Sequence, residues 1–76
     1  MPQHRATIYT RAGCHLCEDA HVLLQRFAIP VTLVDIDRDP ELRERYDHCV
    51  PVVWIDDRER FRGRIDETLL RRLLRD

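Results

Sequence analysis

The stretch YTRAGCHLCEDAHVLL, residues 9–24, places Cys14 and Cys17 where one hydrophobic rhythm gives way to another. Before it, RATIYT (5–10) sets Ala6 and Ile8 against Thr7 and Tyr9, the alternation of a strand. After it, Leu16, Ala20, Leu23, Leu24 and Phe27 recur three or four apart, which is one face of a helix. A strand, a break at Arg11-Ala12-Gly13 and a helix opening on CxxC make the first part of a βαβ unit, provided a second strand follows. Pro30 ends the helix, and VTLVDID (31–37) supplies that strand. It is β-branched and mostly apolar, as expected of a strand buried on both faces. Two strands so joined should be parallel, with a right-handed crossover.

The rest of the chain completes one sheet. In DRDPELRERYDH (37–48), Asp39 is placed to cap a helix and Pro40 suits its first position. Asp39 with Arg43, and Glu41 with Arg45, have the spacing of helical ion pairs. PVVWID (51–56) reads as a third strand. A polar turn around Asp57-Arg58 leads into a short fourth strand through Phe61, antiparallel to the third. Asp66 then caps a last helix, with Leu69, Leu70, Leu73 and Leu74 on its inner face and Ile65 stapled against Leu70. The order β-α-β-α-β-β-α has no linker or repeat. Residues 1–76 therefore read as a single α/β domain, a mixed four-stranded sheet flanked by helices.

Composition removes several functions. A net charge of -1 lacks the basic excess of a nucleic-acid surface. All 13 basic residues are arginine, which reads as compositional bias and not as a binding signal. No apolar run approaches the roughly 18 residues that span a bilayer, and the N-terminus has no secretory pattern. The expected setting is the cytoplasm, where a CxxC pair is more often redox-active or metal-binding than a permanent staple. An odd count of three cysteines also argues against a disulfide-stapled fold.

Two thiols at this spacing can pack, hold a metal or exchange disulfides. Packing alone does not explain a cysteine at a loop–helix junction. A zinc site normally needs four ligands, and no second CxxC is present; Cys49 or His48 would have to be brought in by the fold. The redox reading has a direct physical basis. A helix starting just after Cys14 turns its unpaired N–H groups and positive dipole end toward that sulfur, which favours thiolate. Arg11 adds a cation in the same loop, and His15 is a second group able to stabilise the thiolate. Cys17 lies about one turn into the helix and should be shielded. Cys14 is thus the expected attacker and Cys17 the resolver.

In YTRAGCHLCEDA, CVPVVWID and RGRIDETLLRRL, in that order and spacing, the chain resembles the glutaredoxin-like members of the thioredoxin-fold superfamily, especially small bacterial proteins with a CxLC site. The resemblance implies a thioredoxin-like fold and a thiol–disulfide oxidoreductase acting on protein disulfides or glutathione mixed disulfides. It implies that Pro51 is cis and lies against the CxxC, and that Val50 offers its backbone to the substrate like an added strand. It also points to Gly63 and Asp66, before the last helix, as a reduced version of a glutathione site. No tightly bound cofactor is expected, glutathione being a co-substrate at most, and the protein should be a monomer without nucleic-acid or membrane partners. The alternatives are a metal-binding module built on Cys14, Cys17 and Cys49, and a thioredoxin-fold interaction domain without turnover. Cys49 itself reads first as a small packing residue, left free when Cys14 and Cys17 are oxidised.

Overall fold

A computed structural model describes residues 4–75. Four strands, β1 (Ala6–Thr10), β2 (Val31–Asp35), β3 (Val52–Ile55) and β4 (Arg58–Arg62), form one sheet in the order β2-β1-β3-β4. The first two are parallel, from Ala6 beside Val31 to Thr10 beside Asp35. β3 runs antiparallel to both β1 and β4. Three helices, α1 (His15–Arg26), α2 (Pro40–Tyr46) and α3 (Glu67–Arg75), complete the chain.

The two-residue alternation in the central strands sorts their side chains into two cores. Ala6, Ile8, Val53 and Ile55 point to one face, where they meet Ala20 and Leu24 of α1 and Leu70 of α3. Tyr9, Val52 and Trp54 point to the other, where Ile36 and Tyr46 close a smaller cluster beside α2. β1 and β3, the two central strands, therefore contribute side chains to both cores.

The second strand departs from expectation. It is an edge strand, and Thr32 and Leu33 are exposed. It also stops at Asp35, whose carboxylate accepts from the Asp37 N–H and turns the chain into a 3-10 segment, Ile36–Arg38. Apolar, β-branched composition fitted a central strand equally well; position in the sheet decides, and composition does not encode it.

The helix ends follow local rules. α1 finishes in a Schellman arrangement: Ile29 N–H donates to Leu24 C=O and Ala28 N–H to Gln25 C=O. Ala28 takes φ 57°, a position more often given to glycine, and Pro30 follows two residues later. The Asp39 carboxylate accepts from Glu41 and Leu42 at the start of α2. That use competes with the expected pair to Arg43, and neither Asp39–Arg43 nor Glu41–Arg45 is an ion pair here. The β3–β4 turn falls at Asp56-Asp57, one residue earlier than expected, with both residues left-handed at φ 52° and 67°. Positive φ at both central positions is the two-residue hairpin geometry whose twist matches the strands.

Candidate dithiol site

Cys14 is the N-cap of α1. Its extended backbone (φ −89°, ψ 105°) turns the sulfur toward the first turn, and Cys17 N–H donates to Cys14 Sγ at 3.1 Å. Gly13, at φ 78°, supplies the reversal that brings the loop to that cap. Cys14 and Cys17 are joined as a disulfide with Cα atoms 5.2 Å apart. Cys14 is partly exposed, whereas Cys17 is only 4% exposed. An incoming disulfide therefore meets Cys14 first.

This arrangement has a chemical consequence for the reduced protein. The N–H that reaches Cys14 Sγ, with the helix dipole behind it, stabilises negative charge on that sulfur. In a variant lacking Cys17 and Cys49, the alkylation rate of Cys14 against pH should have its midpoint clearly below about 8.5, the value of a free thiol. A midpoint at or above that value would remove the basis for an activated nucleophile.

Arg11 is placed differently from the sequence expectation. Its guanidinium makes no hydrogen bond to sulfur. Nε and Nη2 donate to the two carboxylate oxygens of Asp37 at 3.1 and 2.6 Å. Nη1 donates to the Asp47 C=O at 2.9 Å, and Nη2 also stands 3.0 Å from Asp47 Oδ1. The hydrogen bond from Arg11 holds the Asp37 carboxyl below its usual range, and Asp37, then Asp47, raise the arginine above its own. Arg11 thus pins the CxxC loop to the segment after β2 and to the turn before Val50, and its charge is already neutralised. Parallel pairing sets Thr10 beside Asp35, which carries Arg11 and Asp37 just beyond them toward each other.

The Val50–Pro51 peptide bond is cis, and Pro51 is buried. Pro51 C=O accepts from Gly63 N–H at 2.8 Å, which brings those two candidate positions together. Tyr9 pairs with Val52, so this segment enters the sheet at the end where β1 leaves it. Val50 is half-buried against the smaller core. His15 is 95% exposed and stands 4.0 Å from Glu18. Asp66 acts as a helix cap: its carboxylate accepts from Thr68 and Leu69 N–H at 2.9 and 3.2 Å.

Cys49 is outside the disulfide and packs beside Ile36, Tyr46 and Val52. Arg62 Nη1 reaches its sulfur at 3.6 Å, while the rest of that guanidinium forks onto Glu59 at 2.7 and 3.1 Å and lies 5.7 Å from the Tyr46 ring centroid. Sequence reasoning missed the pairing of Arg62 with Glu59, since alternation along a short exposed strand does not say which neighbours will pair. Among the described residues no group of three or more His, Cys, Asp or Glu side chains is gathered as a metal site would require.

Comparison with known proteins gives one family and three solved structures. The profile of the family described as Glutaredoxin-like domain (DUF836) matches residues 5–75. The solution structure of protein Ne2328 from Nitrosomonas europaea is 25% identical over 96% of this chain and 93% of that one, with a TM-score of 0.77. The NTD_N/C domain of alkylhydroperoxide reductase AhpF from Enterococcus faecalis is 28% identical over 97% of this chain but only 39% of its own, with a TM-score of 0.73. Fasciola hepatica thioredoxin, at 20% identity, a TM-score of 0.56 and coverage of 96% and 79%, shares the fold. No curated protein matches the sequence.

Proposed function

Because this chain belongs to the glutaredoxin-like domain family, we propose that it is a thiol–disulfide oxidoreductase that cycles between a Cys14–Cys17 dithiol and disulfide. The observation that carries the reading is the placement of Cys14: partly exposed, at the N-terminus of α1, bonded to a buried Cys17 and receiving its N–H. The Cys14 thiolate attacks one sulfur of a substrate disulfide. The substrate S–S bond breaks, its other sulfur leaves as a thiolate, and a mixed disulfide forms on Cys14. Cys17 then loses its proton and attacks Cys14 Sγ, expelling the second substrate sulfur and closing the Cys14–Cys17 bond. Two electrons have passed to the substrate, and a cellular thiol or dithiol returns the protein to its reduced form. Val50, just outside the sheet ladder, is the backbone on which an extended substrate would pair. The cytoplasm, with its reducing thiol pool, is the setting in which such a cycle runs. No described helix is long and apolar enough to cross a membrane.

The test is the reduction potential of the pair, measured by equilibration with glutathione redox buffers. It should fall between about −270 and −120 mV, the span of dithiol oxidoreductases. A value below about −300 mV would place the bond among structural disulfides and sink the proposal.

A further inference from the structure

The places near the dithiol where an anionic substrate could be received are already filled by the chain's own carboxylates. Arg11, the cation of the CxxC loop, has hydrogen bonds from all three of its nitrogens and faces Asp37 and Asp47. Arg43 also acts on the Asp37 carboxylate, so the charges of this cluster are matched and Arg11 has no excess positive charge to offer an anion. Arg62, next in chain to the Gly63 that bonds Pro51, is held two-pronged by Glu59. The first N–H groups of α3, a ready site for a carboxylate, are taken by Asp66. Arg64 has no ion-pair partner among the described residues, but it lines the same small cleft as Asp19. Around these, acidic groups remain open to solvent, with the Asp37, Asp47 and Glu18 side chains 39%, 43% and 73% exposed.

Resting on the oxidoreductase reading, we infer that the site selects a disulfide-bearing polypeptide with arginine or lysine beside its cysteines, and disfavours glutathione. Glutathione carries two carboxylates against one ammonium. To bind here, those carboxylates would have to displace internal ones or accept like-charge repulsion at the rim. A basic polypeptide meets the same rim with complementary charge, which raises its encounter rate. The apolar edge at Leu16, 38% exposed between the two cysteines, gives the peptide a contact that glutathione lacks.

The experiment uses the reduced full chain and follows formation of the Cys14–Cys17 bond by acid quench, alkylation and mass spectrometry. Four oxidants are compared: the neutral disulfide of 2-mercaptoethanol, glutathione disulfide, and two disulfide peptides identical except for arginine or glutamate flanks. The arginine peptide should react at least about tenfold faster than the glutamate peptide at low ionic strength, and the ratio should shrink in concentrated salt. Glutathione disulfide should be slower than the neutral disulfide. Equal peptide rates, or glutathione disulfide outpacing the arginine peptide, overturn the inference while leaving the oxidoreductase reading intact. Failure to oxidise Cys14 with the neutral disulfide overturns that reading itself, and the inference with it. Asp37→Asn and Asp47→Asn, by freeing Arg11, should raise the glutathione disulfide rate relative to the neutral one. If either variant fails to fold, the salt dependence of the native chain still decides.

Discussion

Cys14→Ser loses disulfide reduction by on the order of 10³-fold or more, because removing a nucleophile removes the step on which the others depend. Neither remaining thiol substitutes. Cys17 is buried behind the helix start, and Cys49 is packed at the smaller core under Arg62. Cys17→Ser has a different outcome: the first exchange proceeds, the second cannot, and a mixed disulfide accumulates on Cys14. Mass spectrometry of each variant after exposure to a model disulfide distinguishes them. A covalent adduct on Cys17 in the Cys14→Ser protein, at a rate near that of the native chain, would falsify the assignment of attacker and resolver.

The second large effect is on stability and separates two adjacent leucines. Leu70 is fully buried, in contact with the cluster that joins α1, α3 and the sheet, while Leu69 beside it is 47% exposed. Leu70→Ala removes the buried methyl groups and leaves a cavity, a cost of about 2–5 kcal/mol. In a domain of this size about 1 kcal/mol lowers Tm by 4–8 °C, so the loss threatens the fold at physiological temperature. Leu69→Ala should stay within about 0.5 kcal/mol. Urea midpoints of the two variants decide the matter. Similar shifts would mean that α3 docks in a different rotation from the one described.

How far the sequence could be read depended on which force governed each element. The strand–CxxC–helix opening was legible because its signal is local: alternation ends, a glycine reverses the chain, and a helical face begins at Leu16. The caps at Asp39 and Asp66 were legible for the same reason. Leu16 and Leu69 were assigned to buried faces by periodicity but lie at the margins of those faces, where neighbours decide exposure. β2 was misplaced because strand order in a sheet is a global property. In the site, the two cysteines and their unequal burial followed from chain position. The partners of Arg11 did not: its attraction to Cys14 lost to two carboxylates brought close by parallel pairing. Charge–charge contacts between loops distant in sequence are set by the finished sheet, so they are the last to be read from the chain.

The aromatic residues of the smaller core form a row. Tyr9 stacks at a tilt against Tyr46, with ring centroids 5.2 Å apart, and meets Trp54 edge-on at 6.5 Å. Trp54 is the single tryptophan, and the chain has only these two tyrosines. Light absorbed by either phenol therefore has a short path to the indole, and the folded protein should emit as tryptophan even when tyrosine is excited. The Trp54 Nε1 is buried and has no hydrogen-bond partner among the described residues, away from the water that reddens indole emission. Unfolding separates the three rings, so the tyrosine band emerges as the tryptophan band moves red. The chain thus carries its own two-colour optical gauge of whether the sheet and α2 remain together.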